Sequence, residues 1–308
     1  MNQDSKEDRE KRPIQRNRKL LDEEDVWSYN SWDDADWTEI QESEAQAIIS
    51  TQLKGSPHLE NKDAIEQVVQ GPAVTQWDRF YQKHSRWFFK DRHWLTSEFP
   101  ELFDAQYGTS ILEIGCGAGN TIFPLAKARK NDPQLQIFAC DFAPSALDLV
   151  REFREYDADR MHVFLHDLAQ DERFDIIPDS SIDIVVAIFV LSAIDPARLS
   201  FVFEKIFRVL RPGGLLLFRD YGIYDMTQLR FKPSRLVRPN LYIRGDGTAA
   251  HFFSCEELEG LAKDTGFSVS SNTMDRRLLV NRLRKLTMYR AWLQVKLIKP
   301  KSQQYQIL

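Results

Sequence analysis

Gly115, Gly117 and Gly119 stand at alternate positions in Ile111-Leu112-Glu113-Ile114-Gly115-Cys116-Gly117-Ala118-Gly119-Asn120, and Asp141 and Asp167 follow at a distance. Those residue types in that order can hold a nucleotide-like ligand. Glycines so spaced let the backbone turn sharply and let a ligand lie against bare main chain. A helix should begin at once, with Asn120 or Thr121 as N-cap and Pro124 in its first turn. Free amides at a helix start favour polar or anionic groups. Cys140-Asp141 closes a second apolar run, where Asp141 can accept both hydroxyls of a ribose. Asp167-Leu168 closes a third, where the acid and the Leu168 amide can frame an adenine, and Ile188, ending a fourth, can pack beneath it. Either acid could instead merely cap the segment after it. Two of them at strand ends beside this loop favour the ligand.

Strand and helix patterns alternate around these positions. Strands are expected at Ser110–Ile114, Leu135–Cys140, Met161–Leu165, Ile182–Ile188, Gly214–Arg219, Phe267–Thr273 and Thr287–Ile298. Helices are expected near Thr121–Arg129, Pro144–Tyr156, Pro196–Leu210 and Cys255–Thr265. That alternation describes a doubly wound parallel sheet. Asp275–Arg284 reads as a loop or short excursion, too short for a helical crossover. The last two strands should therefore be antiparallel neighbours. This ending, with Asn120 where a dinucleotide fingerprint needs its third glycine, resembles S-adenosylmethionine-dependent methyltransferases rather than dehydrogenases.

Charge is segregated along the chain. The net charge of -5 hides ten acids and no Lys or Arg between Asp22 and Glu44. It also hides two acid-free blocks, with five basic residues from Met226 to Arg244 and nine from Arg276 onward. Such blocks can bind a polyanion or simply be solvated. The longest apolar run, Ile184–Leu191, is too short to span a bilayer. The N-terminus has no signal core, and its acids argue against a mitochondrial presequence, so a cytoplasmic setting, with the nucleus as a second option, is expected. Cys116, Cys140 and Cys255 form no CxxC pair, which suggests neither a disulfide framework nor a zinc site. His93 and His251 lack ligand-spaced partners and read as structural.

Upstream of the loop, residues 1–24 mix both charges with little apolar content and read as a disordered tail. Ser43–Leu53 and Val74–His84 read as helices, with Trp77 and Tyr81 on one face of the second. Trp87-Phe88-Phe89-Lys90-Asp91-Arg92-His93-Trp94-Leu95 is too charged for a core helix and too aromatic for a solvated one. It suits a site wall that stacks on bases and meets phosphates.

Together with this last segment (FFKDRHWL), the runs LEIGCGAGNTIF, IFVLSAI, FRDYGIY, YIRGDGT and DRRLLVNR resemble the tRNA 3-methylcytidine methyltransferases, across roughly Trp77 to Lys299. The resemblance implies a class I, Rossmann-like methyltransferase domain at 106–300, with a seven-stranded sheet whose last strand is antiparallel. It implies basic insertions at 224–250 and 275–285, and a 25–105 extension forming a cofactor lid and tRNA-binding elements. The implied reaction is methyl transfer from S-adenosylmethionine to N3 of cytidine 32 in a tRNA anticodon loop, without metal or membrane. Trp77, Tyr81, Gly115, Asp141, Asp167, Leu168 and Ile188 are the implied cofactor contacts. The acidic aromatic stretch Tyr29–Trp37 is similar to the branch acting on threonine tRNAs; the serine branch, working with seryl-tRNA synthetase, is the rival. A small-molecule methyltransferase of the same fold is a further alternative, and an aminoacyl-tRNA synthetase or other accessory protein a candidate partner.

Chemistry assigns the remaining residues. N3 of neutral cytosine carries an in-plane lone pair, so no base is needed before attack and positioning should dominate. A carboxylate near the ring would stabilise its developing positive charge, and Asp220 is the candidate, with Tyr221 to stack on the base. Lys90, Arg92, Arg244, Arg276, Arg277, Arg282 and Arg284 are the expected phosphate contacts.

Overall fold

The computed structural model describes residues 18–59, 73–84, 86–106 and 108–301. Its strands are β1 (Ser31–Trp32), β2 (Ser110–Ile114), β3 (Gln136–Asp141), β4 (Met161–Leu165), β5 (Ile182–Ile188), β6 (Leu210–Tyr221), β7 (Leu236–Arg238), β8 (Leu241–Ile243), β9 (Ala249–His251), β10 (Ser268–Asn281) and β11 (Leu286–Ile298). The principal helices are α1 (Glu39–Gly55), α2 (Ala73–Lys83), α3 (Ile122–Ala128), α4 (Pro144–Arg151), α5 (Leu199–Val209) and α6 (Cys255–Thr265). The main sheet runs β1-β10-β11-β6-β5-β2-β3-β4. Its β4, β3, β2, β5 and β6 are parallel, while β11 is antiparallel to both β6 and β10.

This is the doubly wound sheet with the antiparallel ending, with two differences. The extension adds an eighth strand, β1, paired to β10 through Ser31↔Leu279 and Trp32↔Leu278. The expected excursion at Asp275–Arg284 is largely strand, because β10 continues to Asn281 against β11. Its arginines and its one acid do not break the pairing because they find partners: Asp275 pairs with Arg219 and Arg277, and Arg276 lies over Trp37, while Leu278 and Val280 are buried with Trp32.

Side-chain alternation builds two cores. Leu112, Ile114, Val185 and Ala187 face Val202, Phe203 and Ile206 of α5 and Leu258 of α6. Ile111, Ile184, Val186 and Ile188 face the other way, onto α3, α4 and the helical turns carrying Leu95 and Leu102. The extension thus supplies part of a core layer. It also grips the insertion: Gln52 of α1 donates to the carbonyls of Gln228 (3.1 Å) and Phe231 (2.8 Å) and accepts from the Tyr242 hydroxyl (2.6 Å). There β7, β8 and β9 form a separate antiparallel sheet. Of the expected tail, residues 1–17 lie outside the described residues. Arg18 is already fixed, its carbonyl accepting from the Asp33 amide at 2.8 Å and its guanidinium 3.9 Å over the Tyr29 ring.

No helix of the described residues is long and apolar enough to cross a membrane, and no group of three or more His, Cys, Asp or Glu among them could hold a metal ion. The three cysteines are free.

Candidate active site

β2 ends at Ile114, and the chain turns through Gly115, Gly117 and Gly119 at φ of 64°, 52° and 83°. These left-handed values, costly for a side chain carrying Cβ, make the loop. A Cβ at Gly117 would run into the Tyr81 hydroxyl. The main chain at Gly115, Cys116, Gly117 and Ala118 faces a cavity of about 460 Å³. Asp141 lies beneath, accepting from the amides of Gly117 (2.9 Å) and Ala143 (3.0 Å). Burial pushes its carboxyl up to about 6, against the amides of Ala143, Gly117 and Phe142, which favour the charged form. The capping role is therefore real, and a carboxylate with two occupied acceptor positions retains others for a ribose.

At the next strand end, the His166 amide donates to the Asp141 carbonyl at 3.0 Å, which sets Asp167 beside Asp141. Asp167 accepts from the Ala169 amide at 2.8 Å, and Leu168 is buried. Like Asp141, neither lines the cavity itself. Ile188 is a core residue, 1% exposed and packed with Val186 and Leu217, so it supports the site from behind.

Above the loop lies α2. Trp77 and Tyr81 stack at 6.1 Å and both line the cavity. The helix is pinned by Asp78, which accepts from the Ser145 amide at the start of α4 (2.8 Å). Burial and the neighbouring Asp141 raise the Tyr81 hydroxyl well above its ordinary value, keeping it neutral.

The aromatic segment closes one side. Phe88, Phe89, Lys90, Arg92 and Trp94 line the cavity. Asn120 holds them there: its side-chain amide donates to the Phe89 carbonyl (3.1 Å) and Asp91 (3.0 Å), and its carbonyl accepts from the Arg92 amide (2.9 Å). Neither Asn120 nor Thr121 caps α3 through its side chain as expected. The phosphate role expected of Arg92 is also corrected. Its guanidinium turns inward to Glu113 (3.1 Å) and Thr121 (2.8 Å). Burial lifts Glu113 to about 7, with Arg92 first and then the Thr121 hydroxyl opposing that rise. Lys90 stays exposed.

The far wall comes from the carboxyl ends of β5 and β6, the middle of β11 and the turn after β8. Phe189 takes φ 54°, a conformation rare for a side chain of this size and costing roughly 1–3 kcal/mol. Its ring lies 5.2 Å from Tyr221 and 6.4 Å from Trp292, and all three line the cavity. Arg244 lies 5.5 Å over Tyr221, held by the Ala249 carbonyl at 2.7 Å. Arg290, bonded to Asp225 at 2.7 Å, lies 5.0 Å over Trp292. Asp220 is fully buried one layer behind, accepting from the amides of Ser192 (2.9 Å) and Tyr221 (2.8 Å). Burial raises its carboxyl above the ordinary value, opposed by those partners and by Arg244.

Two expected phosphate contacts are spent elsewhere. Arg276 lies 4.4 Å over Trp37. Arg277 pairs with Glu98 (2.7 Å), Asp275 (3.1 Å) and Asp33 (3.4 Å). Burial alone would raise Asp275, yet Arg219 and Arg277 hold it below the ordinary carboxylate value. The acid stretch of the extension thus neutralises part of the basic block. Arg282 and Arg284 remain exposed at the β10–β11 tip beside Leu283, which is 98% exposed. Residues 286–291 lie beyond the last β6 pair, Trp292↔Tyr221, and pair with β10, which places Arg282 and Arg284 at the far end of this hairpin.

Phe189, Trp292 and Arg290 escaped the sequence reading. The basic count flagged Arg290 only as one of nine, and nothing local marks Phe189 as left-handed.

A methyltransferase-domain family model matches residues 112–216. The chain is 44% identical to the tRNA N(3)-methylcytidine methyltransferase Mettl2 of Drosophila melanogaster, over 92% of this chain and 87% of that protein. It is 39% identical to the tRNA N(3)-cytidine methyltransferase METTL2 of Xenopus tropicalis, covering 96% and 97%. With the tRNA(Thr) (cytosine(32)-N(3))-methyltransferase of Saccharomyces cerevisiae it shares 43% identity, over 90% of this chain and 44% of that one. Among solved structures, a Haloferax volcanii methyltransferase complex with the Trm112 activator matches at TM-score 0.52 and 16% identity, covering 74% of this chain and 97% of that chain. A structure from work on thioacetal formation in echinomycin biosynthesis matches at TM-score 0.54 and 14% identity, covering 75% and 94%. At those identities they show the fold alone.

Proposed function

The chain belongs to the tRNA N(3)-cytidine methyltransferase family, and from that premise we propose that it methylates N3 of cytidine 32 in the anticodon loop of threonine tRNAs. The donor is S-adenosylmethionine, in keeping with the methyltransferase domain. When bound, it supplies an electrophilic methyl group. The glycine-loop main chain, Asp141, Asp167 and Leu168 are suited to hold it, under the lid formed by Trp77 and Tyr81.

One observation carries the acceptor reading. The same cavity extends from the glycine loop to Tyr221 and Trp292, so a donor on one wall and a flipped base on the other share one chamber. Tyr221, Phe189 and Trp292 offer flat faces for that base. Position 32 lies at a loop edge, where extrusion costs less than from a duplex. Asp220 cannot touch the base from behind Ser192 and Tyr221. It acts by fixing those two amides and by placing negative charge near the ring as the ring becomes cationic. Lys90, Arg282 and Arg284 are exposed cations suited to meet RNA phosphates, Arg282 by giving up a 3.4 Å bond to the Ser28 carbonyl.

The test is nucleoside analysis after incubating purified protein and S-adenosylmethionine with threonine tRNA, its C32U variant and serine tRNA. The expected product is 3-methylcytidine in the first alone. Modification of serine tRNA instead would move the chain to the other branch, and no product with any tRNA would sink the reading.

A further inference from the structure

We propose that Lys205 is a positioning residue for the adenine end of the cofactor site, holding the 166–171 loop in the conformation that presents Asp167 and Leu168. Lys205 sits in the middle of α5, 1% exposed, amid Phe203, Ile206 and Val202 of the main core. A charged group there is costly unless it is fully bonded. Its ammonium uses its three donors on one target: the Asp171 carbonyl (2.6 Å), the Leu168 carbonyl (2.9 Å) and His166 Nε2 (3.2 Å). Each belongs to the turn that carries the adenine-facing residues.

The other bonds of the turn depend on that centre. His166 Nδ1 lies 3.3 Å from the Asp171 carboxylate. Burial, and then Lys205, lower His166 to about 4, so its ring is neutral. Nε2 accepts from the ammonium and Nδ1–H donates to Asp171. The same Asp171 carboxylate accepts from the Asp167 amide at 2.8 Å. Arg198 closes the far side on the Ala169 carbonyl at 2.9 Å. A leucine or methionine would satisfy the core better than an ammonium does, but neither could tie three acceptors of one turn together.

The groups facing Lys205 are His166, Asp167 and Asp171 of the turn, Cys140 of β3 and Arg198 before α5. Burial lowers the ammonium to about 8, with Asp171 the main opposing influence. Above that pH a neutral amine has two N–H groups for three acceptors, so one tie is lost.

The inference rests on the reading of Asp167 and Leu168 as adenine contacts, so Asp167→Ala is measured beside Lys205→Met. Binding of S-adenosylhomocysteine is followed by calorimetry, with hydrogen exchange of the cofactor-free protein. In Lys205→Met the dissociation constant should rise about tenfold, as when hydrogen bonds to a charged group are lost. Amides of 166–171 should exchange faster, while the melting temperature holds or rises. Wild-type affinity in Lys205→Met overturns the inference. Wild-type affinity in Asp167→Ala alone overturns the adenine reading instead. The wild-type protein supplies an arm that needs no variant. 5′-Methylthioadenosine, which lacks the titrating amino-acid part, should bind more weakly as pH rises through about 8, and a flat profile from pH 7 to 9.5 counts against Lys205.

Discussion

The two walls of the cavity are built by opposite means. The glycine-loop wall is one short stretch, Gly115 to Asn120, and offers mostly main chain. The acceptor wall is gathered from segments more than 200 residues apart, Phe88–Trp94, Phe189, Tyr221, Arg244 and Arg290–Trp292, and offers side chains. Main-chain recognition depends on backbone conformation, which glycine spacing dictates locally. Side-chain recognition depends on which residues tertiary structure leaves available. Substitutions on the first wall should therefore erase a ligand, and those on the second should grade from strong to silent by what each side chain already holds.

The largest effect is expected on the first wall. Asp141→Ala removes an acceptor for the ribose and for the Gly117 amide together. Affinity for S-adenosylhomocysteine should fall about a thousandfold, two charge-assisted bonds of roughly 2 kcal/mol each. Calorimetry reads this directly, and an affinity within threefold of wild type would show that the loop alone holds the ligand. On the second wall, Asp220→Asn keeps the shape but cannot accept from both Ser192 and Tyr221. Displacing those groups by a fraction of an ångström to an ångström should lower kcat by about 100-fold, with cofactor affinity unchanged. Single-turnover kinetics separate the two, and a matching loss of cofactor affinity would mean that the walls are not independent.

How much of this was readable follows the same division. The glycine loop, Asp141, Asp167 and the antiparallel ending are local patterns, and they predicted a doubly wound sheet whose last two strands are antiparallel neighbours. The basic blocks were read as free charge because the acids that pair with them lie far upstream. Asp33 reaches Arg277 across 244 positions, and Trp37 reaches Arg276. Arg92 was misread for the same reason: its partner Glu113 is a buried strand residue, and strand acids of that kind leave no pattern. Asn120 was noticed as a missing glycine, while its bonds to Phe89 and Asp91 required the fold.

That contrast gives the smaller predictions. Arg284→Ala and Lys90→Ala should each weaken tRNA binding a few-fold and reduce the salt slope by about 1. Arg277→Ala, its charge already shared among Glu98, Asp275 and Asp33, should leave the slope alone. It should instead lower Tm by about 4 °C, the response of a chain this size to losing roughly 1–2 kcal/mol. Filter binding across salt concentrations, run beside thermal melts, makes the comparison. A reduced slope for Arg277→Ala would mean that RNA displaces the acidic segment from β10.

The mildest expectation concerns pH and acts on the first wall alone. Asp141 sits at about 6 in the folded protein because burial opposes its charge. Being raised, it binds its proton in the fold before it would in the unfolded chain. Its contribution to stability is therefore present at low pH and is lost as pH rises through about 6. Ligand binding runs the other way, since the protonated carboxyl has surrendered an acceptor that the ribose hydroxyls need. Cofactor affinity should fall as pH drops below about 6, while the acid limb of the melting curve shows no parallel loss from this group. A cofactor affinity constant from pH 7.5 down to 5 would place the Asp141 carboxylate outside the ribose contacts and leave it only the capping bonds to Gly117 and Ala143.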